Sequence, residues 1–486
     1  MNQNTTSQNI TYALPMLSLS LLVTGPMAVM PGLYVKYFGL SIGAMALAKL
    51  LARLFDGITD PLVGYVSDHY QQRYGTRKPL IIVGGILLLL TGAMLYIPYG
   101  WDAQQSQSIS FSYFLFFYLA LTLSWTLMQV PILAWGADLS SDVKGRSQRF
   151  SFFSIAGAVA PMMFFVIPFL PVFESTEVTP ETLKVVIYVS MVLMPLCLFV
   201  CMRRVPDPSR YPGLVTRPVT EDVKVISQWH RFKKVARLII ANRPLLVFYL
   251  AYGLAGLGYS MSSGLTFFFV DNYLSIAEKL SYAFIVIYGV SVPASWFWGV
   301  LAQKIGARST WCIGLFLCAI GLAGIVFLEP GESAFWPYLV CNALIGGGYT
   351  SCFVAGFMVL SNIVDYGKWK FGQDCSGLYF AFAGTMIKFN LSVGIAMGLL
   401  LTDWLGFDPA EKAVSTASRV ALFIPYSILP TILLIFAAIV ISRIPLNTRQ
   451  HADIRKRLDA DTSVASIARH EKVLLDDKER GCLMKI

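Results

Sequence analysis

Long apolar stretches separated by short polar segments run through almost the whole chain. A helix that spans a membrane needs about 20 mainly apolar residues. Twelve stretches have this character, at residues 12–36, 41–66, 80–100, 110–136, 151–173, 184–202, 245–270, 279–300, 311–328, 335–362, 376–402 and 419–442. Several contain proline, which bundled membrane helices tolerate because their neighbours satisfy the freed backbone groups. The pattern predicts an all-α membrane protein with twelve transmembrane helices.

The twelve predicted helices fall into two sets of six. The predicted divisions are an N-terminal bundle at 1–202, a cytoplasmic linker at 203–244, a C-terminal bundle at 245–442 and a cytoplasmic tail at 443–486. Within the linker, residues 224–243 carry apolar side chains on one helix face and basic side chains mainly on the others. This predicts an amphipathic helix that lies in the membrane interface. Packing of the same helix against the cytoplasmic ends of the spans is an equally open alternative.

A short repeat relates the two sets of helices. After the second span the chain reads GYVSD at 64–68 and GTRK at 75–78, and after the eighth it reads GVLAQ at 299–303 and GAR at 306–308. Transporters built from two related halves show weak internal repeats of this kind. Although short loops can resemble one another by chance, the repeat and the span count together predict two pseudo-symmetric six-helix bundles.

The composition agrees with a membrane protein and the charge distribution gives an orientation. Hydrophobic residues make up 56% of the chain and charged residues 14%, against about 45–50% and about 25% in soluble domains. With both termini in the cytoplasm, 30 of the 38 Lys and Arg residues fall in inner segments and five in the outer loops or at the span ends that border them. Inner segments of membrane proteins carry this excess. We therefore expect cytoplasmic termini, and the net charge of +10 requires no nucleic-acid partner.

Four ionisable side chains lie within the second span, where each costs about 2.5–3.5 kcal/mol. They are Lys49, Arg53, Asp56 and Asp60. Their spacing projects all four from one helix face, which must look into the protein. Two carboxylates one turn apart suit a small hard cation, which prefers oxygen ligands, and Thr59 adds a hydroxyl. The span thus predicts a cation site with Asp56 and Asp60 as metal ligands. The alternative is a pair of salt bridges, Arg53 with Asp56 and Lys49 with Asp56 or Asp60, that only helps the helix to insert.

Lys388 stands near the middle of the eleventh span, where its ammonium cannot easily reach the headgroups. It needs an anionic partner, and the deeply placed carboxylates are Asp56 and Asp60, in the other half. A pairing that an ion or substrate makes and breaks would be a switch for alternating access. A permanent tie between two helices is the alternative.

The fourth span contains a polar break, with Trp125 and Thr126 followed by Gln129 and Pro131. Such residues also serve as simple contacts between membrane helices, so this reading stays open. The sequence has no phosphate-binding glycine loop, no HExxH motif and no soluble nucleotide domain. Transport driven by an ion gradient therefore fits better than transport driven by ATP.

Two sequence blocks resemble the glycoside–pentoside–hexuronide:cation symporters, which are major facilitator superfamily transporters related to the melibiose permease. The first block is RLFDGITDPLVG at 53–64, with SD at 67–68 and GTRKP at 75–79; the second is DYGKWK at 365–370, with SGLY at 376–379 and Lys388. The resemblance implies the major facilitator fold and symport with sodium, or with lithium or a proton. Together with the charge bias it implies a bacterial cell inner membrane.

The resemblance also implies roles for particular residues. In melibiose-type members the cation site matches Asp56, Thr59, Asp60 and Thr126 here, and the lysine tied to coupling matches Lys388. Arg53 is the second predicted coupling residue, because a bound cation would release it from the aspartates.

The substrate positions depart from the melibiose type. Ser20 and Gln129 look like the counterparts of two aspartates that recognise sugar hydroxyls, so both negative charges are gone, while Lys49, Arg53 and Lys388 remain. These five residues are the predicted substrate-binding set. Their charge favours an anionic substrate, such as a hexuronide-like glycoside, over a neutral galactoside.

The leading hypothesis is thus a monomeric symporter that carries a small solute and needs no cofactor beyond its coupling cation. A carrier of lysolipids or other amphiphiles is the alternative within transport. A membrane-embedded enzyme is disfavoured because no clustered catalytic motif is present, and a sensor that lost transport is weakly disfavoured by the intact coupling residues.

Overall fold

The computed structural model of this chain describes residues 6–98, 109–139, 143–207, 241–371, 376–409, 416–444, 450, 453–454 and 457. Within these ranges every regular element is helical. Most of the predicted amphipathic helix at 224–243 lies outside the described residues, and so does most of the tail at 443–486.

Twelve long helical rods run through the described ranges. They are α1 Thr6–Phe38, α2 Ile42–Tyr74, α3 Lys78–Tyr96, α4 Phe111–Asp138, α5 Val143–Val166, α6 Pro180–Arg204, α7 Arg243–Phe268, α8 Leu280–Ile305, α9 Ala307–Gly324, α10 with segments Phe335–Tyr349 and Phe357–Phe371, α11 Ser376–Trp404, and α12 with segments Thr416–Phe423 and Leu429–Ser442. A π-helical turn joins the two segments of α10 and of α12, at Cys352–Gly356 and Ile424–Ile428. Each rod overlaps one of the twelve predicted spans.

Eleven of these rods are long and apolar enough to cross a membrane, counted within the described part of the chain. The exception is α2, which at 33 residues has ample length. Its charges within the span lower its apolar character. These are the same charges that the sequence predicts to face the protein interior.

The packing of the rods repeats from one half to the other. In the first half α1 packs on α5 and α6, α3 packs on α4 and α6, and α2 packs on α4. The counterparts in the second half are α7 on α11 and α12, α9 on α10 and α12, and α8 on α10. Between the halves α2 meets α11, α5 meets α8, and α1 meets α7. This is the pseudo-symmetric pair of six-helix bundles that the sequence predicts.

The short repeat in the sequence has a structural counterpart. Gly75 follows α2 with φ 72° and Gly306 follows α8 with φ 88°, a left-handed region that favours glycine. The two turns then differ, because Arg77 pairs with Asp68 at 2.8 Å whereas Arg308 donates to the carbonyl of Ile444 at 2.8 Å.

The helix bundle has two sides. The terminal side is the side of the bundle on which Thr6 and Ile444 lie, and the distal side is the opposite one. Helices α1, α3, α5, α7, α9 and α11 run from the terminal to the distal side, and the even-numbered helices run back.

A close crossing of α9 and α10 predicts a stability effect. A Cβ on Gly348 of α10 would lie 2.6 Å from the Cys318 nitrogen and 2.6 Å from the Gly314 oxygen, both backbone atoms of α9. We expect Gly348→Ala to lower the free energy of unfolding by about 1–3 kcal/mol, because the helices must separate. The matched control is Gly299→Ala on α8, where nothing lies within 4 Å of the added Cβ. Melting temperatures of the two purified variants in detergent would check this, and a G348A melting temperature equal to that of G299A would contradict it.

Candidate functional site

Asp60 lies at the centre of a contact between the two halves. Thr126 of α4 donates its hydroxyl to Asp60 Oδ1 at 2.9 Å, and Lys388 of α11 pairs its ammonium with Asp60 Oδ2. Helices α2 and α4 belong to the first half and α11 to the second. The structure therefore gives Lys388 the anionic partner in the other half that its mid-span position requires.

Asp56, one turn before Asp60, is only partly satisfied. Its Oδ2 faces Arg53 at 3.4 Å, which is a long ion pair, and its Oδ1 is buried with no hydrogen-bond partner among the described residues. Leaving a buried polar atom unpaired costs about 1–3 kcal/mol and more when the group is charged. A cation bound beside Asp60 would supply the missing partner, so Asp56 and Asp60 fit an oxygen-ligand cation site.

Thr59 and Thr126 enter the site differently. The Thr59 side chain is buried at 6% exposure, and its hydroxyl donates to the Phe55 carbonyl at 3.1 Å within α2. A hydroxyl that donates in this way still has lone pairs to offer. The structure shows no contact of Thr59 with the carboxylates, whereas Thr126 touches Asp60 directly.

Lys49 is separated from the carboxylate pair. It is 4% exposed, and its ammonium lies 5.0 Å from the centre of the Tyr118 ring on α4. Within the described residues no carboxylate or hydrogen-bond acceptor pairs with it, so the salt bridges from Lys49 to Asp56 or Asp60 that insertion alone would favour do not form. A cation over a tyrosine ring gains about 0.5–2 kcal/mol. This contact offsets part of the cost of burying the charge.

The two predicted sugar positions lie on α1 and α4. Ser20 is fully buried, its hydroxyl has no hydrogen-bond partner within the described residues, and it faces α5 near Gly157. Gln129 is half-buried and follows Thr126 by three residues, so the two share a face of α4. Gln129 therefore lies one turn from the cation-site residue Thr126. The structure shows no contact between Ser20 and the described residues of the cation site.

The Asp60–Lys388 pair is partly exposed. Its side chains are 23% and 37% exposed although both lie in mid-span. Gly57 and Gly64 flank Asp60 on the same face of α2, and nothing lies within 4 Å of a Cβ placed on either. The distal side is closed there, because the Phe165 ring of α5 stacks on the Phe284 ring of α8 in the other half, with 4.2 Å between the ring centres.

Tyr118 is a member of this region that sequence reasoning missed. It lies two turns before Thr126 on α4, which runs in the same direction as α2. The signal in the sequence is this spacing of two turns, which puts Tyr118 on the same side of α4 as Thr126, the predicted cation ligand.

Comparison with known proteins agrees with this architecture. Residues 11–448 match the family described as MFS/sugar transport protein. This span covers most of the chain, including both halves and the site between them. The chain belongs to this family.

Similar members and folds extend over most of the chain. The inner membrane symporter YicJ of Escherichia coli (strain K12) is 24% identical over 84% of this chain and 85% of its own. The isoprimeverose transporter of Lactiplantibacillus pentosus is 21% identical over 76% of this chain and 74% of its own. The solved structure of a D-xylose–proton symporter aligns with a TM-score of 0.64 at 13% identity, covering 92% of this chain and 98% of that one, which shows a shared fold.

As a member of the MFS/sugar transport family, this protein is a multi-pass membrane transporter and not an enzyme. The predicted relation to the melibiose permease-like symporters is confirmed. The rival interpretation as a membrane-embedded enzyme is thereby set aside.

Proposed function

We propose that this transporter couples inward movement of a cation, sodium before lithium or a proton, to uptake of a glycoside by alternating access. The observation that carries the proposal is the Asp60 carboxylate held between Thr126 and Lys388, because it links a cation ligand set in one half to a positive side chain in the other. The names of relatives such as YicJ and the isoprimeverose transporter support symport of sugars.

The coupling step is an exchange of counter-charges. A cation entering the site takes ligands from the unpaired Oδ1 of Asp56, from Asp60 and from Thr126, with the Thr59 hydroxyl as a further acceptor. It neutralises the charge that holds Lys388 and Arg53. The tie between α2 and α11 then weakens, and the halves can rock around the site.

The same exchange favours an anionic substrate. Once the aspartates are neutralised, Lys388 and Arg53 lack their counter-ions and can pair with a carboxylate of the substrate. Lys49, which has no carboxylate partner among the described residues, adds to the positive field. Gln129 and Ser20 offer hydrogen bonds to hydroxyls. We therefore propose a hexuronide-like glycoside as the substrate and a monomer as the transporting unit.

The orientation follows from the charge bias. We propose that the terminal side faces the cytoplasm and that the protein resides in the cell inner membrane. We also propose that the boundaries at 202 and 245 separate the two units that rock. In this orientation the stacked Phe165 and Phe284 rings close the described conformation to the outside.

Uptake by reconstituted protein tests the substrate and the coupling together. Proteoliposomes would be given methyl glucuronide or methyl glucoside, each with an inward sodium, lithium or proton gradient or with none. We expect gradient-dependent accumulation of the glucuronide at least about tenfold above the glucoside, which corresponds to about 1.4 kcal/mol of discrimination. Equal uptake of the two would contradict the anionic preference. A glycoside uptake rate that is the same with and without each of the three gradients would contradict symport. Uptake of lysolipid in place of both glycosides would contradict the glycoside substrate.

A further inference from the structure

A three-residue ionic cluster closes the distal side of the molecule. The Lys36 ammonium, at the end of α1, lies 2.7 Å from Glu177 Oε1 and 2.8 Å from Asp271 Oδ1. Glu177 belongs to the segment between α5 and α6 in the first half. Asp271 belongs to the π-helical turn Phe269–Tyr273 that follows α7 in the second half. Lys36 therefore joins the two halves through its bond to Asp271.

Contacts within the first half position Lys36 for its bond to Asp271. Tyr37 donates its hydroxyl to the same Glu177 oxygen at 2.7 Å, which fixes the carboxylate beside Lys36. The neighbouring Thr176 donates its hydroxyl across the halves to the Glu278 carbonyl at 2.8 Å. Thr176 and Glu177 thus both take part in closure. Thr176 bonds directly to the other half, and Glu177 positions Lys36.

A layer of aromatic rings lies beneath these polar contacts. Phe165 stacks on Phe284 with 9° between the rings, and Phe169 meets Tyr282 edge-on at 4.8 Å, both across the halves. Lys36 also lies 5.9 Å from the centre of the Phe267 ring on α7. The closure therefore has an apolar seal and, above it, a charged contact that water can reach, since Lys36 is 33% exposed.

We propose that Lys36 and Asp271 form an ion-pair latch that holds the distal mouth shut and so sets how the transporter divides between its two facing states. Opening the distal side separates α1 from α7 and must break this pair. Lys36 then keeps Glu177, whereas Asp271 loses a bond that the closed state supplies. The latch acts without regard to which solute the central site carries, so it does not depend on the proposed substrate.

Distances between spin labels on the two halves test the latch. Nitroxides would be attached at Val172→Cys and Phe327→Cys, two distal positions in different halves that are 80% and 84% exposed, with label-reactive native cysteines replaced by serine. Lys36→Met and the isosteric Asp271→Asn are the test variants. Glu181→Gln is the matched control, because Glu181 pairs with Lys184 at 2.9 Å on the same side but within α6.

We expect both test variants to raise the population with the longer, distal-open distance by about two- to fivefold over the parent, the range that a part-exposed ion pair gives. The control should keep the parent distribution. Parent-like distributions in both K36M and D271N would overturn the latch, and an equal shift in E181Q would show a general surface-charge effect and overturn it as well. D271N leaves Lys36 with Glu177, so it remains decisive if K36M folds poorly.

Discussion

Asp56→Asn and Asp60→Asn should each weaken cation binding by at least about tenfold, but only Asp60→Asn should also loosen the contact between the halves. Losing a charge-assisted ligand costs about 1.5–3 kcal/mol, and each 1.4 kcal/mol is tenfold in affinity. Asp56 contacts Arg53 within its own helix, so its replacement leaves the Lys388 tie in place. Asp60 holds Lys388 of the other half, so its replacement removes the cation ligand and the tie together.

Sodium binding by calorimetry would measure the first effect, and the melting temperature without sodium would measure the second. The matched control is Asp68→Asn on the same helix, because Asp68 is 62% exposed and pairs with Arg77 away from the site. Unchanged sodium affinity in both site variants would leave the proposed symport without its cation site. A melting temperature that falls equally in D56N and D60N would contradict the unequal roles of the two carboxylates.

The charged face of α2 shows what could be predicted from the sequence. Helical spacing alone puts the carboxylates and basic residues of this span on one face, and the cost of exposing them to lipid requires an interior location. Lys388 could be assigned to the carboxylate pair because few deep anions were available to it. Both assignments follow from helical periodicity and the cost of burying charge, because neither of these depends on detailed packing.

Other contacts could not be predicted because they depend on how the helices cross. Lys49 shares the face of Asp60, yet it packs on Tyr118 and not on a carboxylate, since α4 presents a ring at that level. The free oxygen of Asp56 depends on the Arg53 side chain reaching only the other oxygen. Lys36 has the sequence position of an ordinary charge at a helix end. Its pairing with Asp271 arises from the closure of the distal side, which no local pattern encodes.

Lys388→Met should strengthen sodium binding by about tenfold while reducing gradient-driven glycoside uptake by at least about 100-fold. In the described state the Lys388 ammonium occupies Asp60 Oδ2, so a cation must displace it. Removing this competitor leaves Asp60 free for the cation. The halves, however, no longer exchange a positive side chain for the bound ion, so binding does not drive the conformational change.

The same variant separates a switch from a permanent tie between α2 and α11. If Lys388 is a switch, K388M should lower the melting temperature without sodium and change it little at saturating sodium, where the lysine has already left Asp60. If it is a permanent tie, the loss of melting temperature should be equal with and without sodium, because breaking the pair leaves the Asp60 carboxylate without its counter-charge in both conditions. Lys304→Met at the exposed terminal end of α8 controls for loss of a positive charge. A loss of melting temperature that saturating sodium removes, together with lost uptake, supports the switch and contradicts the tie.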